Sequence, residues 1–402
     1  MYGILEGLRI VEASAFVAAP TGGLVLAQLG ADVIRIDPPG GGVDAGRWPL
    51  TSDGTSLYWA SLNKCKRSIM VDTKTPEGQE IVAELIARPG EDSGCFLTNL
   101  PPRGELSWSS LSGRRADVIM LRIIGHRDGS TALDYTVNSA VGYPLATGNA
   151  RADAPVNHVF PAWDVTTGLT AALGLMAALR RRAKTGEGEE IVLALSDVAY
   201  ATVGNLGHIA EAMINGTERE PTGNDIYGAF GRDFATSDGH RVMVAAITSR
   251  QWRSLLDAID GHRAISRLEE MLEVDLSDEG RRFEARDSIA PIVARWIGAH
   301  TLDEVRAAFD RSGVCWGPYR SFAKMVRDDP RCSTDNPLFE DVEQPGVGTF
   351  MMPGSPLEFM GHKRKPIRPA PALGQHTDEI LADILGLSDA RIGDLRDAKI
   401  VA

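Results

Sequence analysis

The sequence predicts an α/β fold, with a large domain around a mostly parallel sheet and a small α+β domain inserted into it. Short β-branched runs alternate with helical segments up to about residue 196. Near residue 225 this alternation gives way to a hairpin pattern. With 402 residues the chain is also longer than a domain with one hydrophobic core usually is, so about two domains are expected. The expected domains are residues 1–224, completed by a C-terminal return segment 331–402, and a small domain at residues 225–330.

The first elements form a β-α-β unit, from which parallel sheets are built. Strands are predicted at residues 8–13 and 32–37, and a helix from about Pro20 to Leu29. The loop at residues 13–20 contains no glycine, although a dinucleotide site needs glycines there for close approach of the phosphates. The large domain is therefore predicted to be Rossmann-like without binding NAD.

The same alternation continues through the large domain. Further strands are predicted at residues 67–72, 95–98, 118–124 and 190–196, and helices at residues 76–87 and 165–182. In the small domain the predicted elements are a hairpin strand at 241–246 and helices at 249–259, 280–299 and 302–312. Residues 313–369 are rich in Pro and Gly and are predicted to be irregular, followed by helices at 377–385 and from Ser388.

Charge and composition limit the possible partners. The formal net charge of −12 argues against nucleic acid and anionic membranes as general partners. The four cysteines show no metal-ligand spacing, so we expect reduced thiols, no metal site and a cytoplasmic protein. The N-terminus has no signal-peptide pattern, and the apolar run Leu169–Leu179 is short for a membrane span. A soluble enzyme or binding protein is expected.

Asp164 is the most informative single residue. It follows Pro161-Ala162-Trp163 and directly precedes the helix predicted at residues 165–182. A carboxylate there faces the unpaired N–H groups of the first turn, which favour its ionised form and prepare it to act as a nucleophile. The alternative is that Asp164 only caps the helix, since Asp is preferred at that position.

Four stretches together point to a known family. They are Leu8–Glu12 with Leu26–Ile34, Leu62–Ile69 with Asp72 and Lys74, Asp164 with Gly168, Gly174 and Lys184–Gly188, and Leu373–Glu379. With them the chain resembles the class III CoA-transferases, the family of formyl-CoA transferase, carnitine CoA-transferase and alpha-methylacyl-CoA racemase. The resemblance implies an acyl-CoA substrate, no tightly bound cofactor and an interlocked, ring-like homodimer.

The resemblance also implies roles for individual residues. Asp164 matches the catalytic aspartate. The positions that match CoA contacts are Phe16, Val17, Ala18, Val71, Lys74, Asn99, Leu100 and Arg103. Val17 departs from the glutamine of the formyl-CoA transferases, and Phe230–Phe234 stands in place of their glycine-rich loop. The basic residues Lys64, Lys66 and Arg67, together with Lys74 and Arg103, are either a solvated face or a surface that binds a polyphosphate such as the ADP part of CoA.

The racemase branch fits less well, because Leu133 stands where that branch has its catalytic histidine, just before Asp134. His126 lies nearby, but an isolated histidine after a strand is more typical of a structural residue. An alternative from another class is a CoA-ester binding protein without catalytic activity. An intermolecular CoA-transferase is a third.

Other segments resemble a branch that moves CoA between the two carboxyl groups of one mesaconate. They are Ser14–Pro20, Gly40–Asp44 with Arg47–Pro49, Val156–Asp164 and Tyr227–Phe234. This likeness implies an aspartyl anhydride and an aspartyl-CoA thioester at Asp164. Arg47, and after it His158, are the candidates for holding the idle carboxylate, although Arg47 could equally form a surface ion pair.

Overall fold

The computed structural model describes residues 1–148 and 154–402. They form two compact units, the first made of Met1–Val141, His158–Gly216 and Pro330–Ala402 and the second of Gly142–Asn157 and Thr217–Asp329. The segments 142–157 and 217–224, which we assigned to the large domain, thus group with the second unit. One reason is that the N–H groups of Thr222 and Gly223 donate to the carbonyls of Ala146 and Thr147 at 3.0 and 2.7 Å.

A six-stranded sheet forms the centre of the first unit. Its strands are β1 Arg9–Ala13, β2 Asp32–Asp37, β3 Arg67–Met70, β4 Cys95–Thr98, β5 Ile119–Ile124 and β6 Glu189–Ala194. The order is β3-β2-β1-β4-β5-β6, and all neighbours are parallel. Val11 of β1 stands opposite Ile34 on one side and Phe96 on the other. The α/β prediction is confirmed, and the switch point of this order lies between β1 and β4.

Helices cover both faces of this sheet. In chain order the helices of the first unit are α1 Ala18–Gln28, α2 Leu57–Asn63, α3 Pro76–Ala87, α4 Trp108–Arg114, α5 Asp134–Ala140, α7 Ala162–Thr185, α8 Leu195–Asn205 and α9 His208–Asn215, whereas α6 Tyr143–Thr147 belongs to the second unit. Val82 and Ile86 of α3 pack on one face, and Leu26 of α1 and Leu175 of α7 on the other. The helices α2, α4, α5, α6, α8 and α9 were not predicted. Four of them have seven residues or fewer and carry no extended apolar period.

By length and composition alone, α7 is the one helix in the described residues that could cross a membrane. One face of α7 packs in the core, where Ala171 and Leu175 are fully buried, whereas Leu169 and Leu173 on another face are exposed. Arg182 in its last turn is also buried and donates to the carbonyls of Ser93 and Glu91 at 2.8 and 2.7 Å. These bonds satisfy the guanidinium inside the fold, so α7 belongs to the protein core.

The second unit contains an antiparallel sheet in the order β7-β8-β9. Its elements are β7 Phe230–Ala235, β8 Arg241–Ala246, α10 Ser249–Ile259, α11 His262–Leu272, α12 Glu279–Glu284, α13 Arg286–Ile297, α14 Leu302–Ser312, β9 Cys315–Pro318 and α15 Phe322–Asp328. The predicted hairpin is confirmed, whereas the single helix predicted at 280–299 is two helices that meet at Ala285. Phe230–Phe234 lies within β7, with Phe230 packed 5.7 Å from the ring of Trp252.

The C-terminal segment returns to the first unit. The hairpin β10 Phe339–Gln344 and β11 Gly348–Pro353 is followed by α16 Thr377–Glu379, a π-helical stretch at Ile380–Ile384 and α17 Asp389–Asp397. The expectation that residues 313–369 are irregular is therefore wrong in part, because glycines at 346 and 348 with positive φ close a regular hairpin. His376 accepts a hydrogen bond from the Ser68 N–H at 3.2 Å, which docks this segment on β3.

Candidate active site

The loop after β1 is held in a strained conformation. Phe16 has a φ of 64°, a region that residues with a β-carbon rarely adopt. Its N–H donates to Oδ2 of Asp44 at 3.2 Å. The neighbouring Ala15 donates its N–H to Oδ1 of Asn99 at 2.9 Å, and Nδ2 of Asn99 donates back to the Ala15 carbonyl at 2.7 Å. The loop is thus fixed on both sides, as strained segments at functional sites usually are.

This clamp lies at the switch point of the sheet. Asn99 directly follows β4, so its bonds to Ala15 join the loops after β1 and β4. The structure therefore brings together Phe16, Val17 and Ala18 with Asn99 and Leu100, five of the predicted CoA positions. Phe16 and Leu100 are exposed, while Ala18 is buried at the start of α1. Open α/β sheets bind their ligands at such a crevice.

The other predicted CoA positions divide into one core residue and two free cations. Val71 is buried and bridges to Val401, so its side chain belongs to the core. Lys74 and Arg103 are exposed and form no ion pair within the described part of the chain. Gln79 joins their loops, because its Nε2 donates to the Thr73 carbonyl at 3.0 Å and its Oε1 accepts from the Glu105 N–H at 3.3 Å. Two unpaired cations on adjoining loops suit a phosphate ligand.

The basic residues at 64–67 serve the fold. Lys64 and Lys66 are buried, which contradicts both the solvated and the polyphosphate interpretation. Nζ of Lys66 donates to Glu12 at 2.9 Å and to Asn63 at 3.0 Å, and burial lowers the pKa of Lys66 to about 8. Arg67 pairs with Asp32 at 2.5 Å. No ligand role remains for these three cations.

Beneath the strained loop lies a network of buried charges, which we call the Arg35 network. Its members are Glu12, Arg35, Asp37, Asp44, Asn63 and Lys66, all of them buried. The Arg35 guanidinium donates to Asp44 at 2.9 Å, to Asp37 at 3.0 Å and to Asn63 at 3.0 Å. Asp44, which holds Phe16, is therefore itself fixed. The sequence signal was present in β2, where Arg35 and Asp37 interrupt an otherwise β-branched strand.

Small residues bring α1 and α7 into direct contact. A β-carbon at Gly168 would lie 2.5 Å from the Ala18 carbonyl oxygen and 2.7 Å from Cβ of Thr21. A β-carbon at Gly22 would lie 3.0 Å from the Gly168 carbonyl oxygen. The two glycines thus allow the first turns of both helices to pack against each other. In this way the strained loop and the start of α7 come to the same place.

The Asp164 carboxylate does not cap its helix, contrary to the alternative weighed from the sequence. Asp164 is the third residue of α7, and the N-cap is Pro161, which has no side-chain bond. The N–H groups of Trp163 and Asp164 donate instead to Oδ2 of Asp134, at 2.7 and 3.0 Å. The carboxylate of Asp164 accepts no hydrogen bond from the residues that the structure describes. A half-buried acid with no hydrogen-bond donor to its carboxylate and a strongly raised pKa is typical of functional sites.

Its surroundings also change its protonation. Burial, and after it the negative charge of Asp134, raise the pKa of Asp164 to about 6, while the positive charge of Arg47 acts in the opposite direction. The expectation that the helix N–H groups favour the ionised form is therefore wrong, because Asp134 already uses two of them. The result is a carboxylate that is partly protonated near neutral pH.

Arg47 and Tyr58 complete the group that surrounds Asp164. The Arg47 guanidinium lies 5.3 Å from the ring centroid of Phe16 and 5.4 Å from that of Tyr58. Arg47 forms no ion pair with the described residues, so the surface ion pair considered from the sequence is wrong. We call Phe16, Arg47, Tyr58, Asp134 and Asp164 the Asp164 site. An aromatic-stacked guanidinium without an acid partner is suited to bind a carboxylate.

Tyr58 was missed by sequence reasoning, since one tyrosine in a short helix carries no signal of its own. Its hydroxyl is buried and has no partner in the described part of the chain. Burial raises the pKa of Tyr58 to about 12, with Arg47 opposing the shift and Asp44 and Asp164 adding to it. The phenol therefore stays protonated and offers a donor to whatever enters the site.

The two candidate histidines make no described contact with the Asp164 site. His158 is exposed and forms no hydrogen bond or ion pair with the described residues, so its predicted role stays a prediction. His126 lies in a tight turn in which its N–H donates to the Ser130 carbonyl at 3.1 Å. Among residues 1–148 and 154–402, no three His, Cys, Asp or Glu side chains are grouped as metal ligands would be.

Known proteins resemble this chain over nearly its whole length. Residues 5–377 match the model of CoA-transferase family III. The chain is 54% identical to the 2-methylfumaryl-CoA isomerase of Chloroflexus aurantiacus, over 100% of this chain and 98% of that protein. It is 30% identical to the human succinyl-CoA:glutarate CoA-transferase, over 99% of this chain and 90% of that protein.

Solved structures agree on the fold. A CaiB/BaiF family protein from Brucella suis superposes with a TM-score of 0.77 at 24% identity, covering 96% of this chain and 100% of that one. Together with the family match and the identity over the full length, this shows that the chain is an enzyme that belongs to CoA-transferase family III.

Proposed function

We propose that this enzyme moves CoA between the two carboxyl groups of mesaconyl-CoA (2-methylfumaryl-CoA), with Asp164 as the covalent carrier. The observation that carries the proposal is the half-buried Asp164 carboxylate, which accepts no hydrogen bond within the described chain and lies near the contact of α1 and α7. The choice of substrate is supported by 54% identity to a 2-methylfumaryl-CoA isomerase over the full length.

The proposed reaction consists of four balanced substitutions. An oxygen of the Asp164 carboxylate attacks the thioester carbonyl, the C–S bond breaks, and CoA leaves as a thiolate. The thiolate attacks the aspartyl carbonyl of the resulting anhydride, which gives an aspartyl-CoA thioester and free mesaconate. The other carboxylate of mesaconate attacks this thioester and again releases the thiolate. The thiolate then attacks the mesaconyl carbonyl and restores the Asp164 carboxylate.

Two loops are proposed to hold the CoA moiety. The unpaired cations Lys74 and Arg103 suit its phosphates, and the clamped loop at Phe16 and Val17 suits the pantetheine chain that leads to the thioester. This arrangement would place the sulfur near the start of α7. CoA takes part as a portion of the substrate, and the mechanism requires no further cofactor.

The mesaconate must turn within the site without leaving it. Arg47, which has no acid partner in the described residues, is proposed to hold the idle carboxylate. The unpaired phenol of Tyr58 is proposed to donate to the oxyanion that develops at each carbonyl, because the first-turn N–H groups of Trp163 and Asp164 are used by Asp134. Such a donor contributes about 3 kcal/mol where one has been measured.

We also propose that the enzyme is a homodimer. On the first unit, α7 to α9 leave large apolar side chains in solvent, among them Leu173, Leu206, Met213 and Ile214, which are 63–81% exposed. Large exposed apolar side chains on neighbouring helices are typical of a protein–protein interface. Light scattering behind size exclusion should give a mass near twice 43.2 kDa. An interlocked ring in particular predicts that dilution does not release monomers on the timescale of hours, whereas a simple contact dimer would dissociate.

The covalent route is tested by trapping. During turnover of mesaconyl-CoA, hydroxylamine should convert Asp164 to a hydroxamate that peptide mass spectrometry detects, because the anhydride and the aspartyl-CoA thioester both carry an activated aspartyl carbonyl. The matched control is Asp164→Asn under the same conditions. An active native enzyme in which Asp164 is never modified would disprove the carrier role.

A second experiment separates the intramolecular reaction from transfer between molecules. Mesaconyl-CoA is incubated with an excess of ¹³C-labelled free mesaconate, and the product is analysed by mass spectrometry. We expect isomerised thioester without label. Ready incorporation of label would assign the chain to the intermolecular CoA-transferases, which stay the alternative function because another relative, at 30% identity, is a succinyl-CoA:glutarate CoA-transferase.

A further inference from the structure

Two side chains of α5 hold the first turn of α7. Asp134 accepts the N–H groups of Trp163 and Asp164 through Oδ2, at 2.7 and 3.0 Å. One turn later in α5, Oδ1 of Asn138 accepts from Nε1 of Trp163 at 3.1 Å. Asp134 is only 2% exposed, and its other oxygen, Oδ1, is buried with no partner in the described residues. A buried carboxylate with only half of its acceptor capacity satisfied is costly to keep.

This contact decides which of two acids uses the helix terminus. The N-terminus of a helix stabilises a carboxylate through its free N–H groups and its dipole. Asp164, in the first turn, would ordinarily be that carboxylate. With Asp134 in the position, Asp164 loses those hydrogen bonds and gains a negative neighbour. The charged or titratable groups that act on Asp164 are then Asp134 from α5, Arg47 from the loop after β2 and the neutral phenol of Tyr58 from α2.

We propose that Asp134 is a positioning residue for CoA transfer, which occupies the N-terminal anion site of α7 and so leaves the Asp164 carboxylate unbonded as a stronger nucleophile. The proposal rests on the function proposed above. A carboxylate that gives up hydrogen bonds and is surrounded by protein attacks a carbonyl more readily than a well-solvated one. The unpartnered Oδ1 of Asp134 fits this role, because a capping function alone would be served by a neutral acceptor.

The test is Asp134→Asn, which keeps an oxygen acceptor for the two N–H groups and removes the charge. The titration of Asp164 is followed by infrared difference between each protein and its Asp164→Asn derivative. We expect the midpoint, which burial and Asp134 place at about 6 in the native enzyme, to move to lower pH. The acid limb of kcat/KM should move with it, because the ionised carboxylate is the nucleophile. At pH 8, where Asp164 is ionised in both proteins, kcat should fall about three-fold or more.

Two controls separate charge from structure. Asp197→Asn removes a carboxylate from the first turn of α8, where Asp197 pairs with the exposed Arg127 at 2.7 Å, and should leave the midpoint unchanged. Asn138→Ser weakens the hold of α5 on Trp163 without a change of charge. It should lower the melting temperature and leave the midpoint in place.

An unchanged Asp164 midpoint in Asp134→Asn would overturn the proposal, and so would an equal shift in Asn138→Ser. If Asp134→Asn fails to fold, the Asp164 midpoint is measured in Asp134→Ser, which carries a smaller neutral acceptor. A shift to lower pH would again support the proposal, and an unchanged midpoint would overturn it. The infrared titration needs no turnover. A shift of the Asp164 midpoint, without hydroxylamine trapping at Asp164, would therefore refute the proposed reaction and support the positional effect of Asp134. Trapping at Asp164 without a shift of the midpoint would support the reaction and refute the positional effect.

Discussion

Two regions of the first unit treat buried charge in opposite ways. In the Arg35 network the central guanidinium donates to two carboxylates, an amide and a backbone carbonyl. In the Asp164 site, a few residues away in space through Phe16 and Asp44, the carboxylate accepts nothing from the described chain. Paired buried charges fix a backbone, whereas an unpaired one is available to react. We therefore interpret the Arg35 network as a support of the backbone and the Asp164 site as the place of the proposed reaction.

The two regions depend on each other. Asp44 belongs to the Arg35 network and also holds the N–H of Phe16 at 3.2 Å, while the ring of Phe16 supports Arg47. The paired region therefore sets the geometry of the unpaired one. This relation can be tested by exchanging charged for neutral side chains in each region and comparing stability with activity.

The largest effect is expected for Asp164→Asn. Transfer should fall at least about 10⁴-fold, because the proposed nucleophile is lost. The pKa of Asp164 is raised in the fold, so its protonated form favours folding below the unfolded value of about 3.9, and this contribution is lost as pH rises through about 6. At pH 8 the free energy of unfolding of the variant should therefore exceed that of the native enzyme by about 2 kcal/mol. At pH 4 the two free energies of unfolding should be nearly equal. Urea unfolding at both pH values measures this, and a variant that is less stable at pH 8 would contradict it.

Arg35→Met, in contrast, should lower the free energy of unfolding. It leaves Asp37 and Asp44 buried without their cation, and breaking a buried pair in this way costs about 3–5 kcal/mol. Urea unfolding of the full chain gives the value. The control is Arg114→Met, because Arg114 binds Glu80 and Glu105 near the surface and should matter much less. A loss no larger than that of the control would mean that the Arg35 network does not stabilise the fold.

The sequence was sufficient for the sheet, and it also singled out Asp164 at the start of α7. All six parallel strands were predicted to within three residues at either end, because each is a β-branched run between turn residues. The absence of glycine in the loop after β1 argues against a dinucleotide site in this Rossmann-like order, and that stays a prediction. Short helices such as α2 and α5 were missed, and they carry Tyr58 and Asp134.

What the sequence could not give was which charges meet. Lys66 and Arg35 look like ordinary polar residues in the sequence, yet both are buried by contacts with Glu12 and Asp44, which come from other elements. The competition between Asp134 and Asp164 for one helix terminus joins residues 30 positions apart. Pattern and propensity describe neighbours along the chain, and these pairings depend on tertiary packing.

Arg47→Gln should weaken substrate binding while leaving the fold intact. Loss of a charge-assisted bond to the idle carboxylate is worth about 2 kcal/mol, so KM should rise about 30-fold. Arg47→Lys keeps the charge but loses the planar group that stacks on Phe16 and Tyr58. Its KM should therefore lie between the values of the native enzyme and of Arg47→Gln. Steady-state kinetics with mesaconyl-CoA, with melting temperature as the control, measures both. An unchanged KM in Arg47→Gln would remove Arg47 from the site.

The smallest change, Tyr58→Phe, gives the sharpest comparison between the two regions. The hydroxyl it removes is buried and unpaired, so its loss should leave the stability unchanged or raise it, unlike any deletion in the Arg35 network. If the phenol donates to the reacting carbonyl, kcat should nevertheless fall about 10-fold or more. Tyr200→Phe, on the exposed side of α8, is the matched control and should change neither quantity. A Tyr58→Phe enzyme with native kcat and higher stability would show that the hydroxyl is an unused defect of packing, whereas lower stability would mean that it has a partner in the fold.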